Sequence, residues 1–570
     1  MPQTYTPPSF AYVTPPEIST GSAAARSVII VGAGPIGIAC ALDLTLHGVD
    51  TLVLDDNDTV STGSRAICYA KRALEILDRY GCGEPVVERG VSWQIGKVFH
   101  RDRLAYRFDL LPEEGHRRPA FVNLQQYHLE EAMLQRLAEL GRAEVRWKNR
   151  VVGITQDDRG ATVTVETPDG RYQARGSYVI ACDGARSSLR EMMGLDWKGQ
   201  VFRDRFLIAD VHMKGDFPAE RWFWFDPPFH PGQSVLLHRQ ADDVWRIDFQ
   251  LGWDADPDEE KKPERVIPRI RAMLGDDRDF ELEWVSVYTF QCRRLDRFVH
   301  GRVIFAGDAA HQVSPFGARG ANSGFQDADN LCWKLARVLQ GLSPASLLES
   351  YDSERVEAAE ENILNSTRAT DFITPKSNIS RDFRDAVLDL SVSHEFARRL
   401  VNSGRLSLPT THQASPLSTP DREMFSGAMV PGAPAADAPV FHAGDARWWL
   451  ELIGGRFDAV YFAGADEHRI LADLSALTGA LDGQARILAV AGEKALAGAI
   501  GDTGTIWVED APGWLARRYD ASPGTLYLLR PDQHVAARWR HWTADDVRRA
   551  LRRAQGVEHA ARDTTEPLTA

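Results

Sequence analysis

The chain has 570 residues, of which 44% are hydrophobic and 26% are charged, and its formal net charge is −14. This length predicts about three or four domains, and the ordinary composition excludes global disorder and a membrane-embedded class. The negative charge argues against a general nucleic-acid binder, because no basic excess is available to neutralise phosphates. Small-molecule chemistry is therefore favoured.

The six cysteines are scattered, with neither a CxxC pair nor histidines at metal-ligand spacing. We therefore expect reduced thiols and no metal site. Residues 1–26 are polar, rich in Pro, Ser and Thr, and lack the features of a signal peptide. These observations predict a cytoplasmic protein that does not associate with membranes and that begins with a flexible arm.

A βαβ unit opens the folded part of the chain: residues 27–31 are a β-branched run, an apolar helical pattern follows, and 51–54 form a second strand. Alternating residues from 151 to 180 predict a β-meander that ends in a buried strand at 178–181. Residues 197–295 contain many aromatic side chains in strand-like runs, which predict an antiparallel sheet.

The α/β core resumes after this sheet, with an apolar strand at 303–306 and a helix over 323–339. Polar helices and Pro-rich sequence then predict a linker, and the strands beyond it alternate with helices. The predicted segments are a flexible arm (1–26), a discontinuous α/β domain (27–196 and 297–370), a sheet domain (197–296), a helical segment and linker (371–438), a small α/β domain (439–556) and a tail (557–570).

The strongest local signal is a glycine-rich turn between the first strand and the first helix. Its residues are Gly32, Ala33, Gly34, Pro35, Ile36 and Gly37. Such glycines permit a tight turn, close approach of the backbone to a pyrophosphate and close helix–strand packing, while the helix N-terminus attracts the anion. Asp55 ends the next strand and can accept a hydrogen bond from an adenosine ribose, and the adjacent Asp56 is assigned to the same site. The motif predicts dinucleotide binding but does not separate FAD from NAD.

Two later segments, each after a buried strand, decide between these cofactors. One contains Asp183 and Gly184, and the other contains Gly307 and Asp308. In this order and spacing, the three motifs resemble the aromatic-ring hydroxylase family of flavoproteins, over about the first 370 residues. The resemblance implies that Asp308 binds the ribityl chain of FAD and that Asp183 lies beside the pyrophosphate, where it supports cofactor and NAD(P)H binding.

A stretch at 315–322 opens a helix and resembles the family loop that faces the flavin ring. Backbone N–H groups at a helix N-terminus would stabilise the negative charge of reduced flavin. The residues expected to supply them are Gly320, Ala321 and Asn322.

Further contacts follow from the same resemblance. Pro315 and Gly317 are expected near the reacting edge of the flavin. Arg65 and Gln126 stand where the family places polar contacts to FAD, with Gln125 as an alternative register for the second.

The resemblance implies a single-component monooxygenase of aromatic catabolism. NADH or NADPH would reduce FAD, O2 would add at flavin C4a, and the hydroperoxide would hydroxylate a small phenolic substrate. A homodimer is also implied. A one-residue register change would exchange the two faces of the aromatic sheet. Candidate substrate contacts on that sheet are His212, His238, Arg246, Tyr288 and Gln291.

The expected fold class is α/β, with an FAD-binding Rossmann-like domain interleaved with an antiparallel-sheet substrate domain. Residues 518–532 resemble the thioredoxin-like C-terminal extension of phenol hydroxylase-type members, but this domain has no Cys, which excludes thiol redox chemistry. Three alternatives stay open: the same superfamily acting on an N-heterocyclic or polyketide ring, a flavin-dependent halogenase or reductase, and a non-catalytic FAD-binding scaffold. Substrate-stimulated oxidation of NAD(P)H would separate them.

Overall fold

The computed structural model describes residues 5–21, 25–63, 65–215, 217–275, 278–401, 406–492 and 504–558. The chain divides into two compact units. The first comprises Met1–Glu114, Arg118–Asp329 and Arg355–Pro409, and the second comprises Gly115–Arg117, Asn330–Glu354 and Thr410–Ala570.

Helices of the described residues are, in chain order, α1 (Pro16–Thr20), α2 (Pro35–Leu46), α3 (Lys71–Tyr80), α4 (Gly83–Arg89), α5 (Gln126–Leu140), α6 (Ser188–Met192), α7 (Pro257–Glu260), α8 (Pro263–Leu274), α9 (Gly320–Leu339), α10 (Leu347–Ile373), α11 (Asn378–Ser391), α12 (Glu395–Val401), α13 (Trp449–Leu452), α14 (Glu467–Leu481), α15 (Trp514–Arg518) and α16 (Ala544–Ala554). A short 3-10 helix covers Gly307–Ala309.

The strands are β1 (Ala25–Val31), β2 (Thr51–Leu54), β3 (Cys68–Ala70), β4 (Val91–Trp93), β5 (Ile95–His100), β6 (Arg103–Asp109), β7 (Phe121–Asn123), β8 (Ala143–Arg146), β9 (Arg150–Asp157), β10 (Gly160–Thr167), β11 (Gly170–Ala181), β12 (Lys198–His212), β13 (Arg221–Phe225), β14 (Ser234–Arg239), β15 (Val244–Leu251), β16 (Glu281–Arg294), β17 (Val299–His300), β18 (Val303–Phe305), β19 (His311–Gln312), β20 (Pro439–His442), β21 (Asp445–Trp448), β22 (Phe457–Phe462), β23 (Ala485–Ala491), β24 (Ile506–Glu509), β25 (Leu526–Leu529) and β26 (Val535–Trp539).

The first sheet of unit 1 has a parallel core. Its strand order is β17-β18-β11-β1-β2-β8, and β9 and β10 pair as antiparallel strands beside β11. Strands β18, β11, β1, β2 and β8 run parallel. Strand β2 and the carboxyl half of β1 are buried along their whole length, which explains their unbroken Val, Ile and Leu runs. The predicted α/β fold class is confirmed.

The second sheet of unit 1 is almost entirely antiparallel, with the order β19-β16-β12-β15-β14-β13-β5-β6. The pair of β13 and β5 is its parallel exception. The sheet predicted for 197–296 therefore gains two strands, β5 and β6, from much earlier in the chain. The burial of β5 alternates and that of β6 does not, so no shared local pattern assigns the pair to this sheet.

Unit 2 is built on a mixed sheet with the order β21-β20-β24-β23-β22-β25-β26. Strands β22, β23 and β24 are parallel, and β25 and β26 run antiparallel to their neighbours. This topology is that of an α/β body. The thioredoxin-like assignment stays a prediction.

The structure divides the chain at other points than the predicted boundaries at 370 and 439. Residues 330–354 belong to unit 2 because Trp333 and Leu347 pack in its hydrophobic core beside Phe457. The predicted linker also contributes to this unit, since Leu417 lies in the same core. These contacts join residues that are far apart in sequence, so composition alone does not reveal them.

Candidate active site

The motif-bearing segments of unit 1 converge at one edge of the first sheet. Gly32–Gly37 follows β1, Asp55 follows β2, Asp183 follows β11, and Gly307–Asp308 follows β18. Because these strands are parallel neighbours, their carboxyl ends share an edge, which is where open α/β sheets bind ligands.

The glycines of the turn after β1 differ in whether a side chain would fit at each position. Gly32 has φ +104°, and a Cβ there would lie 2.4 Å from the carbonyl oxygen of Cys182. A Cβ on Gly37 would lie 1.8 Å from the oxygen of Gly32. By contrast, none of the described atoms lies within 4 Å of a Cβ placed on Gly34, which precedes the α2 N-terminus at Pro35. The turn thus leaves backbone open where a pyrophosphate would approach.

Ile36 joins this turn to two other segments. A Cβ on Gly307 would lie 3.0 Å from the Ile36 side chain, and one on Gly324 would lie 2.6 Å from it. Both glycines therefore permit close packing of the turn after β18 and of helix α9 against the first turn.

The Asp55 carboxylate shapes the site through backbone contacts. It accepts hydrogen bonds from the Ala33 N–H at 2.6 Å and from the Asn57 N–H at 2.8 Å. Burial raises the pKa of Asp55, and these hydrogen bonds oppose that effect. Asp56 lies in an open surface groove with Lys148. Contacts of Asp55 and Asp56 with a ribose stay predictions.

Asp183 has one oxygen bonded and one without a partner. Its Oδ2 accepts hydrogen bonds from the Leu189 N–H at 3.0 Å and from the Ser188 hydroxyl at 3.3 Å. Its Oδ1 is buried and has no hydrogen-bond partner in the part of the chain that the structure describes. Burial raises the pKa of this carboxyl. The adjacent Gly184 has φ +75° and no described atom within 4 Å of a Cβ, so the segment has space for a ligand donor.

Asp308, Arg65 and Tyr288 lie close enough to interact electrostatically. Protein surrounds Asp308, so burial raises its pKa, yet its side chain stays accessible, as expected for a group on the wall of a cleft. Burial also raises the pKa of Tyr288 to about 12; the nearby Asp308 charge adds to this effect, and Arg65 opposes it. A predicted ribityl ligand therefore lies near a predicted substrate contact.

A buried network that the sequence motifs do not indicate fixes the turn at Gly307. Asp327 accepts a hydrogen bond from the Gly307 N–H at 2.9 Å and contacts His311 Nε2 at 2.7 Å. Its other oxygen accepts a hydrogen bond from Arg355 Nε at 2.7 Å. Although burial opposes ionisation, His311 and Arg355 hold the pKa of Asp327 below its usual value. No short motif joins these residues, because they come from three separate segments.

Both the oxygen and the nitrogen of the Gln126 side-chain amide are hydrogen-bonded to other protein groups. Its oxygen accepts a hydrogen bond from the Ala66 N–H at 3.0 Å, and its nitrogen donates to Ser61 and Glu130, at 2.8 Å each. The side chain therefore holds the loop that carries Arg65. A direct contact of Gln126 with FAD, which stays a prediction, would require exchange of one of these bonds.

The loop at 315–322 leads into helix α9, which begins at Gly320 rather than at the predicted Ser323. The three N–H groups expected to face the flavin thus lie in the first helical turn, where backbone donors lack intrahelical partners. The Asn322 side chain bonds the Ala70 N–H and the Cys68 carbonyl, both at 2.8 Å. Gly317 has φ +101°, and Pro315 is exposed.

The strand register of the second sheet decides which predicted substrate contacts share a face. His238 stands opposite Arg246, and Arg246 stands opposite Asp210. His212 lies two residues beyond Asp210 on the same strand, so alternation places it on that face as well. This face is called the cleft face below.

Tyr288 also lies on the cleft face, because it stands opposite Phe206, four residues before Asp210. Its side chain is 45% exposed. Gln291 follows Tyr288 by three residues on β16, and alternation directs it to the opposite face. The register therefore separates Gln291 from the other four candidates.

The Arg246 guanidinium is hydrogen-bonded to other protein groups. Its guanidinium makes two hydrogen bonds to Asp210, at 2.9 and 3.0 Å, and a third to the Arg65 carbonyl at 3.3 Å. His238 is buried beside it, and burial together with the Arg221 and Arg246 charges holds its pKa well below the usual value, so His238 is neutral. These bonds tie the cleft face to the loop that carries Arg65.

Phe316 brings the predicted flavin loop onto the same face. Its ring centroid lies 5.0 Å from that of Phe206 and 5.1 Å from that of Phe290. Offset and edge contacts at these distances stabilise aromatic clusters. The loop before α9 and the aromatic sheet thus form one site within unit 1.

Within the described ranges, we find no cluster of His, Cys, Asp and Glu able to hold a metal ion. The same residues include no helix of the length and apolarity that a membrane span requires.

Together, the glycine turns and the aromatic cleft are the arrangement expected of a flavoprotein oxygenase. The model of the FAD binding domain family matches residues 25–366 of this chain. The chain belongs to that family, and it is a flavin-dependent monooxygenase of the aromatic hydroxylase type.

Two similar proteins are named 3-(3-hydroxy-phenyl)propionate/3-hydroxycinnamic acid hydroxylase. The one from Mycolicibacterium smegmatis is 29% identical over 373 residues, which cover 64% of this chain and 65% of that protein, just under two thirds. The one from Burkholderia cenocepacia is 29% identical over 526 residues, covering 90% of this chain and 93% of that protein.

The crystal structure of the flavin-dependent monooxygenase PieE in complex with FAD and substrate is also similar. It has a TM-score of 0.78 and 20% sequence identity, and the match covers 94% of this chain and 100% of that one. At this identity the likeness shows the fold alone.

Proposed function

We propose that the protein uses NADH or NADPH and O2 to hydroxylate a phenolic ring. The observation that carries this proposal is the cleft face itself, which presents aromatic and charged side chains beside the loop before α9. A phenol needs both kinds of surface, because its ring is apolar and its hydroxyl must be hydrogen-bonded.

The residues present fit FAD. The open backbone at Gly34 suits the pyrophosphate, and the accessible Asp308 carboxylate suits a polyhydroxyl chain. The first-turn N–H groups of α9 suit a ring edge that becomes negative on reduction. Bound FAD supplies the activated oxygen, using electrons from NAD(P)H, and the protein positions the substrate and excludes water.

The floor of the cleft suits a flat ring. Phe223, Ile208 and Ser286 lie on the cleft face, in register with one another through β14 and β15, and all three are partly accessible. Two of these side chains are apolar, so they would displace water from both the ring and the reacting oxygen. The wall beside them carries the charged groups that a phenolic hydroxyl could meet.

The proposal is tested with purified holoenzyme, a panel of phenols that includes 3-(3-hydroxyphenyl)propionate, and the methyl ether of each phenol as its matched control. NADH and NADPH oxidation, peroxide release and product mass are recorded together. We expect phenols, but not their ethers, to stimulate oxidation and to gain one oxygen atom. Bound FAD without stimulation by any phenol would contradict the proposal, and so would stimulation that yields peroxide alone.

A further inference from the structure

The cleft face holds two charged side chains that are not paired with any described residue of opposite charge. Arg221 is 9% exposed, yet it forms no hydrogen bond or ion pair with any described residue. Asp248 has a buried Oδ1 that lacks a hydrogen-bond partner in the described ranges, and 19% of its side chain is accessible. Its Oδ2 lies 3.9 Å from Nε2 of His238, a neutral ring that does not compensate the carboxylate charge. An unpaired buried charge is costly, so two in one cleft indicate a binding site rather than structural packing.

The strand register places the two charges near each other on the cleft face. Arg221 precedes Trp222, which stands opposite Leu237, so it lies alongside His238. Asp248 stands opposite Leu236, two residues before His238 on the same strand. Each charge affects the titration of the other, although the two side chains do not form an ion pair. Both charges therefore face the same part of the cleft face, on either side of strand β14.

The charge balance of the cluster favours a neutral ligand group. Arg221 and Arg246 carry two positive charges, and Asp210 and Asp248 carry two negative charges when ionised. His238 is neutral, and burial raises the pKa of the nearby Cys68 thiol to about 11, so neither adds charge near neutral pH. A ligand carboxylate would leave the buried cluster with an uncompensated negative charge, whereas a hydroxyl would not.

We propose that Arg221 and Asp248 bind the ring hydroxyl of the substrate, with Asp248 as the base that accepts its proton. The phenolic O–H bond breaks, its electron pair stays on the oxygen as a phenolate, and the proton forms a new O–H bond on Asp248. Arg221 donates hydrogen bonds to the phenolate oxygen. The net charge of the cluster does not change. This assignment rests on the proposed function and names the catalytic residues of that site.

The electrostatic environment of Asp248 suits this role. Burial raises its pKa to about 6, the Arg246 charge opposes that shift, Asp210 adds to it and Arg221 opposes it. The carboxylate is therefore mostly ionised at neutral pH but is a stronger base than an ordinary Asp. A general base works best when its pKa lies near the working pH.

Asp248→Asn in the holoenzyme tests the base, with phenol and 3-(3-hydroxyphenyl)propionate as substrates. For the wild type we expect coupled hydroxylation to fall as the pH drops below about 6, since the base must be ionised. The variant should lose about 100-fold or more near neutral pH and recover as the pH approaches the ionisation of the free phenol. Asp243→Asn, an exposed change in the turn between β14 and β15, is the matched control and should keep the wild-type profile.

Arg221→Met tests the oxyanion partner. Without NAD(P)H, the ultraviolet difference spectrum of the bound phenol should show phenolate with the wild type and not with this variant. Its activity should stay low at every pH, because preformed phenolate also lacks its cation, and Arg221→Lys should restore part of it. Arg239→Met, which removes a partly exposed arginine from the next strand, is the matched control.

Failure of this assignment and failure of the proposed function give different results. If the wild type hydroxylates phenols and Asp248→Asn does so equally at every pH, the base assignment is overturned. If Arg221→Met still binds phenolate, the oxyanion assignment is overturned. If the wild type hydroxylates neither compound nor any other phenol, the proposed function itself fails.

Discussion

Two buried charge clusters, one in each unit, differ in how completely their members are paired. On the cleft face of unit 1, Arg246 is bonded to Asp210, but no described residue of opposite charge pairs with Arg221 or Asp248, and Asp248 Oδ1 lacks a hydrogen bond. In unit 2, Glu354 accepts hydrogen bonds from Arg530 at 2.6 and 3.0 Å and from Lys334 at 2.8 Å. Both clusters are charge-balanced, so balance alone does not distinguish them.

In the unit 2 cluster each charged side chain is hydrogen-bonded to another member, and we call such a cluster closed. Asp532 accepts a hydrogen bond from Arg530 Nε at 3.0 Å, and Asn330 bonds both Glu354, at 2.6 Å, and Lys334, at 2.7 Å. Burial disfavours the charge on Glu354, yet Arg530 and Lys334 hold its pKa well below the usual value. Every charge has a partner, so the cluster serves structure. In the unit 1 cluster, the charges of Arg221 and Asp248 are not paired in this way, which indicates a ligand-binding role instead.

The largest effect on stability is expected from a substitution that disrupts the unit 2 charge cluster. Arg530→Met removes the shared partner of Glu354 and Asp532 and leaves buried charge uncompensated. We expect the free energy of unfolding to fall by about 3–5 kcal/mol, measured by urea titration of the full chain. Arg548→Met, which removes an exposed ion pair with Asp545, should change it by about 0–1 kcal/mol. Equal effects would show that the closed cluster is not structural.

The glycine turn offers the same contrast between closed and open positions. Gly37→Ala meets backbone at 1.8 Å, so we expect loss of both stability and FAD. Gly34→Ala meets no described atom, so it should fold normally but weaken FAD about 10-fold or more, through lost approach of the pyrophosphate. Flavin retention on dialysis and the thermal midpoint of the apoprotein are the measurements. Full FAD affinity in folded Gly34→Ala would place the cofactor elsewhere.

Asp248→Asn should stabilise the fold while it removes activity. The pKa of Asp248 in the folded protein, about 6, lies above that of an ordinary Asp, so ionised Asp248 costs stability as the pH rises through 6. The Asn variant lacks this cost and should be more stable than wild type by about 1–3 kcal/mol near pH 8. The difference should vanish toward pH 4. Thermal unfolding of both proteins across this range tests it, and a less stable variant at high pH would contradict an open cluster.

The smallest effect is expected at Gln291. Because β16 directs it away from the cleft face, Gln291→Leu should leave the KM for the phenol within about twofold. Tyr288→Phe, three residues earlier, removes a hydroxyl on the cleft face and should change KM or coupling more, by a few-fold. Initial rates with product quantification measure both. A larger effect from Gln291→Leu would show that the faces are exchanged.

Sequence alone predicted the turn-based half of the site because its requirements are local. Gly32 needs a positive φ and Gly37 needs close packing, and both needs appear as glycines at fixed spacing beside a strand and a helix. Helix α9 begins at Gly320, three residues before the predicted start at Ser323. The sequence did not reveal this start, because the N–H groups of a first helical turn require no distinctive residue.

The part of the site formed by side chains of the second sheet depends on strand register, so it could not be predicted from local sequence. Arg221 and Asp248 come from strands with a third strand between them, and only the alternation of aligned residues places them on one face. Asp327 and Arg355 were likewise missed, since they meet through packing of two helices. Arg246 was one of the five predicted substrate contacts, but its hydrogen bonds to Asp210 favour a positioning role.

The central claim is tested most directly by one isotope experiment on the holoenzyme. Labelled O2, NAD(P)H and a phenol that stimulates oxidation are supplied together, and the product is analysed by mass spectrometry. The account predicts one labelled oxygen atom on the ring in the wild type, and loss of that product near neutral pH in Asp248→Asn. Unlabelled product, or peroxide without product, would contradict it.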